Sequence, residues 1–235
     1  ILSRANQWLR RIAGPRGNSM EDMRIRAYAI YLLTRQGIIT SELLGTLQKE
    51  LDARYPKEWP VDLTAAYVAS AYGLLQKVDL AKKIIKRSQW SQQNPLFGKG
   101  LYQDYYDGLI HDSQLLYLQV KHFPEQLNEI PASVVDGLGK NISANHFNSL
   151  SAAYLLLALE SYATAAKEQS GSLEIAEIDA AGKVKALPLT DGLIAKANIS
   201  LAAKSLRLTR DGNLPAFYSQ VEAGFDRVQP AEAVQ

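Results

Sequence analysis

The sequence contains no cysteine, which excludes disulfides, thiolate metal sites and a cysteine nucleophile within this chain. The same absence leaves the compartment open, because a disulfide-free fold persists in cytosol and periplasm alike. Long apolar runs are also missing. No stretch approaches the roughly 20 uninterrupted apolar residues of a membrane-spanning helix, so no membrane insertion is expected of this segment. No charged-then-apolar leader opens the chain, which predicts no signal peptide here. There is no block of one charge either. Lys and Arg number 26 against 24 Asp and Glu, a formal net charge of +2. The footprint of a nucleic-acid binder is therefore lacking, and no nucleic-acid partner is expected. The most basic stretch, AKKIIKRSQ (81–89), alternates its lysines with Ile84 and Ile85 and reads as the wet face of an amphipathic helix.

What is present is ordinary globular material: 235 residues, 47% hydrophobic and 21% charged, enough for one large domain or two small ones. From residue 1 to about 167 the pattern is helical, and two kinds of helix alternate. DMRIRAYAIYLLTRQ (22–36), DLTAAYVASAYGLL (62–75) and SLSAAYLLLALESYATAA (149–166) are apolar around most of their circumference, which places them between other elements. TSELLGTLQKELDARY (40–55) has a single stripe of Leu43, Leu44, Leu47 and Leu51. VDLAKKIIKRS carries Leu80, Ala81, Ile84 and Ile85 on one side, and PASVVDGLGKNI carries Val134, Val135 and Leu138. Ser19, Thr40, Asp62 and Asp79 stand at helix starts, and Gly37, Pro56, Pro60, Pro95 and Pro131 fall between helices.

The enclosed helices form a weak repeat, with Tyr28, Tyr67, Tyr117 and Tyr154 at comparable points. Helix pairs recurring at about 40 residues indicate a solenoid or a closed ring. One helix of each pair reads as enclosed, which favours a ring of inner helices shielded by outer ones. After Ala166 the texture changes. SLEIAEID, KVKALPL, LIAKANISL, SLRLTR and AFYSQVEAGF are short alternating segments separated by glycine-containing turns, and they read as about five antiparallel strands. The expected fold is mainly α: a partial α/α toroid of helical hairpins, then a small antiparallel β-sandwich portion. Because ILSRANQWLRRIA opens in mid-helix, the chain is expected to be part of a longer protein.

A helical ring followed by closing strands resembles the bacterial branch of the alpha-2-macroglobulin family. RIRAYAIYLLTRQG (24–37) is similar to an inner helix of that family's ring. YYDGLIHDSQLLYL (105–118) is similar to its tyrosine–turn–Asp–helix segment, with His111 where an arginine would stand. NSLSAAYLLLALESYA (148–163) resembles the last inner helix, and SLRLTRDGNLPAFYSQVEAGF (205–225) the strand pair that ends a CUB-type domain. The resemblance implies that residues 1–168 are the C-terminal part of a helical thioester-type domain, 171–228 the closing strands of a CUB-like domain, and 229–235 a linker to a further domain. It implies a non-enzymatic parent, a broad-range protease inhibitor of the periplasm or cell envelope, either free or anchored to a membrane through an N-terminal part. Its partners would be attacking proteases and neighbouring macroglobulin-like domains. The thioester cannot form here without cysteine. Either it lies upstream or the parent lacks one.

The stretch GLYQDYYDGLIHDSQLLYL (100–118) is the one candidate active site. Tyr102, Tyr105 and Tyr106 could stack on a sugar, and Asp104, Asp107 or Asp112 could act as acid or base in a polysaccharide-active toroid enzyme. Against that, Asp112 before Ser113 reads as a helix cap, and the tyrosines suit a loop covering one end of the ring. A helical-repeat scaffold binding a protein partner is the other alternative. His111, His122 and His146 are too scattered for a metal site. There is no HExxH, no Gly-rich phosphate loop and no Gly-x-Ser-x-Gly elbow, and Gly-Lys-Gly (98–100) follows no strand. No catalytic, cofactor-binding or metal-binding residue is assigned, and no cofactor is expected. The four repeat tyrosines suit core packing with their hydroxyls paired.

Overall fold

A computed structural model of the chain describes residues 2–15, 17–93, 106–169, 172–190 and 195–211, with 218, 220 and 221 singly. The helices are α1 (Leu2–Ala13), α2 (Met20–Arg35), α3 (Ser41–Arg54), α4 (Leu63–Leu74), α5 (Val78–Ile85), α6 (Gly108–His122), α7 (Ala132–Ser143) and α8 (Ser149–Gln169), with a 3-10 segment at Pro124–Glu129. Three strands follow: β1 (Leu173–Asp179), β2 (Val184–Leu187) and β3 (Ala203–Arg210). The molecule is therefore mainly α with a small antiparallel sheet.

The alternation in the sequence becomes a row. Helix α2 packs against α4, α4 against α6 and α6 against α8, while α3, α5 and α7 cover α2, α4 and α6 from outside. Every residue of α4 from Leu63 to Tyr72 is buried. Its alanines allow close approach on all sides, and the absence of charge lets it lie enclosed. The outer helices bury only their stripes: Leu44, Leu47 and Leu51 in α3, Ala81, Ile84 and Ile85 in α5, Val135 and Leu138 in α7.

Local chemistry sets the starts. Ser19 caps α2 in a reciprocal box, its Oγ accepting from Asp22 N at 3.1 Å while the Asp22 carboxylate accepts from Ser19 N at 3.0 Å. Asp62 caps α4 by accepting from Thr64 N at 2.8 Å. Thr40 precedes α3 without capping it, because its hydroxyl is bonded to that of Thr34 at 2.6 Å.

One helix departs from expectation. Sequence alone reads α8 as apolar all round and enclosed. Ser151, Leu155, Ala158 and Tyr162 are indeed buried, but Leu156 is 66% and Leu157 48% exposed. These lie on the side away from α6, where no described element follows in the row.

The sheet order is β2-β1-β3, antiparallel throughout. β1 and β2 form a hairpin in which Asp179 Oδ1 accepts from Ala181 N and Lys183 N, both at 2.9 Å, and Gly182 supplies the positive φ of 81°. Ile175 lies opposite both Leu187 and Leu208, and Glu177 opposite Lys185 and Leu206. Five strands were expected and three form among the described residues. Residues 195–200 of LIAKANISL have no regular structure, and most of AFYSQVEAGF lies outside the described residues.

Candidate functional site

The first turns of α2, α4, α6 and α8 all meet at one cleft of about 490 Å³. Arg24 and Tyr28 come from α2, Leu63 and Tyr67 from α4, Ile110 and Gln114 from α6, and Leu150 and Tyr154 from α8, with Tyr106 entering from the residue pair before α6. The four inner helices thus present the same end to it.

Three of the four repeat tyrosines converge there. The rings of Tyr28 and Tyr67 are 5.0 Å apart, and Tyr67 donates its hydroxyl to Gln114 Oε1. Burial, with Tyr154 alongside, pushes the Tyr28 phenol up to about 12 and the Tyr67 phenol well above its ordinary value. Tyr117 stands one step away, beside Tyr31, which the sequence reading passed over. Tyr31 lies 5.8 Å from Tyr67 and bonds His122 Nε2 at 2.9 Å. The signal for Tyr31 was available, since it follows Tyr28 at helical spacing. Burial, with the charges of Lys121 and Arg35, pulls the His122 imidazole down to about 4, so it is neutral at physiological pH.

The opening stretch divides. Tyr102, Asp104 and Tyr105 lie outside the described residues. Tyr106 donates to or accepts from His111 Nδ1 at 2.6 Å and holds the Arg24 guanidinium 3.8 Å over its ring. Arg24 in turn clasps Asp62 through Nε at 3.1 Å and Nη2 at 2.8 Å. One linked group, Asp62–Arg24–Tyr106–His111, so ties the starts of α2, α4 and α6 together.

Asp112 does not start the helix as expected. The cap is Asp107, accepting from Ile110 N at 2.8 Å. An earlier start places Ile110 and His111 in the interior. Asp112 instead fastens the segment after α5, accepting from Ser91 N at 2.8 Å and Ser91 Oγ at 2.6 Å. Burial raises the Asp112 carboxyl while the bonds from Ser91 oppose the rise. Ser91, Asp112 and His111 are neighbours without the wiring of a catalytic triad. The carboxylate takes the serine proton directly, and the His111 nitrogens are engaged by Tyr106 and by Gln89 O at 2.9 Å. Burial lowers the His111 imidazole. His146 lies exposed after α7. Among the described residues no three of His, Asp and Glu gather as metal ligands, and no helix is long and apolar enough to cross a membrane.

The fold is a row of helical hairpins followed by a short sheet, with Asp62, Arg24, Tyr106 and His111 bonded in series at the cleft. No family model matches the chain, and no solved structure gives a significant match. Named relatives are similar over 93–100% of its length. An alpha-2-macroglobulin homolog of Yersinia pestis is 33% identical over 240 residues, covering 100% of this chain and 12% of that protein. Alpha-2-macroglobulin of Rickettsia conorii is 32% identical over 94% of the chain, and that of Pasteurella multocida 28% identical over 93%. The chain belongs to the bacterial alpha-2-macroglobulin family. It spans only 11–12% of the length of these relatives.

Proposed function

We propose that this chain is a structural, non-catalytic portion of a bacterial alpha-2-macroglobulin-like protease inhibitor. In this reading residues 1–168 are the C-terminal part of an α/α-toroid thioester-type domain, 171–228 the closing strands of a CUB-like domain, and 229–235 a link to a further domain. The observation that carries it is the match to the Yersinia pestis protein, which runs through helices and sheet alike over 100% of the chain. The alternation of enclosed and one-sided helices supports it, since a ring of hairpins requires both kinds. The apolar side of α8 that no described residue covers supports it too, being where the next hairpin of a ring would sit.

The whole protein then acts on endopeptidases in the periplasm or cell envelope. Cleavage of a bait segment elsewhere triggers collapse around the protease. This portion contributes mechanically, by holding neighbouring macroglobulin-like domains in their uncleaved arrangement. Having no cysteine, it supplies no thioester, and any such bond is made by other residues of the protein.

The test uses the full-length protein mixed with a broad-range endopeptidase. Digestion of a large protein substrate should slow while hydrolysis of a small peptide continues. Equal digestion of both with and without the protein would remove the reading. Methylamine treatment followed by mass spectrometry separates two forms of it. An adduct on a glutamine outside this segment marks a covalent trap, and trapping without an adduct marks a mechanical one.

A further inference from the structure

The cleft at the first turns of α2, α4, α6 and α8 holds a hydrogen-bonding group that the helices leave unused. Gln114 of α6 is only 8% exposed, and its Oε1 accepts the Tyr67 hydroxyl. That hydroxyl has no other acceptor among the described residues, which fixes the amide with Nε2 turned the other way. Nε2 meets no acceptor among the described residues, yet it is not sealed off and is reached from the cleft. A donor so deeply placed and unanswered is uncommon in a folded protein.

The accessible surface around it is aromatic and aliphatic. Tyr28, Tyr106 and Tyr154 are half-buried along the walls, while Ile25 and Leu150 stand at the rim, 46% and 41% exposed. The Arg24 guanidinium is held by Asp62 and covers the Tyr106 ring, and Glu21 is exposed at the rim. A cationic ligand would meet that guanidinium and an anionic one Glu21, so a neutral ligand is favoured. It must bring an acceptor for Nε2 and apolar groups for the tyrosines.

We propose that the cleft binds a proline-containing segment in the polyproline II conformation, supplied by a part of the same protein outside these 235 residues. The carbonyl before the proline accepts from Gln114 Nε2. The pyrrolidine ring lies on Tyr28 and Tyr154, and an aliphatic neighbour packs between Ile25 and Leu150. A tertiary amide offers an acceptor without bringing an N–H that needs its own partner. Aromatic-lined grooves are a recurrent docking site for such segments, whose preformed conformation lowers the entropy lost on binding. The cleft, about 490 Å³, falls within the roughly 300–1,000 Å³ typical of ligand sites. The segment is assigned to the same protein because the chain spans only 11–12% of the length of its relatives. That source rests on the family membership, whereas the site itself does not.

Proton–nitrogen NMR of this chain with millimolar acetyl-hexaproline amide tests the site, with a Gly-Ser hexapeptide as control. The Gln114 side-chain amide signals should move with the proline peptide and stay with the control. Gln114→Glu keeps an acceptor for Tyr67 and removes the donor, and should weaken binding about tenfold. Leu150→Ser, at an exposed position, should weaken it about threefold with thermal unfolding unchanged. No movement would mean that the cleft holds water alone, and equal movement with the control would mean no preference for proline. Affinity unaltered in both variants would mean binding elsewhere. Each of these overturns the site. In the full-length protein the cleft should be occupied and refuse the peptide. Equal binding there would overturn the assignment to the same protein and leave the protease-inhibitor reading untouched.

Discussion

The helical row and the sheet satisfy their apolar residues in opposite ways. In the row α2, α4 and α6 each find a helix on either side and an outer helix behind, so Met23, Ile30, Leu33, Leu47 and Leu116 are wholly buried. Among the described residues the sheet is a single layer. Leu173, Val184 and Leu208 stay over a third exposed, and the hydrophobic cluster that unites the helices contains no strand residue. A helix can bury one stripe on the next hairpin in the chain, whereas a sheet needs a second layer to cover its apolar face. The row is therefore nearly self-sufficient, and the sheet is not.

Substitutions can sharpen or break that contrast. The largest effect belongs to Asp62, which caps α4 and holds Arg24 while itself 1% exposed. Asp62→Ala removes both the α4 cap and the carboxylate that Arg24 clasps, and should cost the helical row about 3–5 kcal/mol in urea unfolding. A loss below 1 kcal/mol would show that the linked group at the cleft is not part of what holds the row. Next comes Leu47→Ala, expected to cost about 2–5 kcal/mol through the cavity it leaves, against well under 1 kcal/mol for Leu208→Ala in the sheet. Equal losses would mean that strand and helix residues share one core.

Acidity gives the third contrast. His122 is neutral in the fold, its folded value held at about 4 against an ordinary 6.5. The unfolded chain therefore binds more protons between those values, so stability falls as pH drops from 6.5 to about 4 and levels off below. Burial depresses His111 in the same direction. All three histidines precede residue 147, so this loss should appear as faster amide exchange in the helices and leave β1–β3 unchanged. A uniform response would contradict it. The smallest effect is that of Ser19→Ala, which removes half of the capping box and should cost about 1 kcal/mol, read as a lower unfolding midpoint.

Much of the row was legible because its signals are local. The stripes of α3 and α5, the all-round apolarity of α4 and the Ser19 and Asp62 caps each lie within a few residues, where period and capping chemistry act. What the sequence could not display depends on residues far apart. Arg26 is buried in α2 because Glu50, 24 positions on, reaches it at 2.5 Å. Asp107 rather than Asp112 caps α6 because Ser91 captures the second aspartate from another segment. Both aspartates precede helical pattern, and only tertiary partners decide between them. The exposed side of α8 has the same origin, since apolar character all round does not say whether every side has a neighbour. The cleft was half legible. The repeating tyrosines marked the helices that build it, but Arg24 and Gln114 could be placed only once those helices stood side by side.

The nearest-neighbour arrangement of α2, α4, α6 and α8 also bears on how the chain acquires its structure. Most contacts join segments close in sequence, so little loop entropy stands between an open chain and the first native pairs. The α2–α4 pair, tied by Arg24 to Asp62, has the means to form first and act as a template. Assembly then proceeds by adding neighbours to that pair. Opening begins where packing is sparsest: α7 rests on α6 far more lightly than α8 does, so exchange of the α7 amides precedes that of α4.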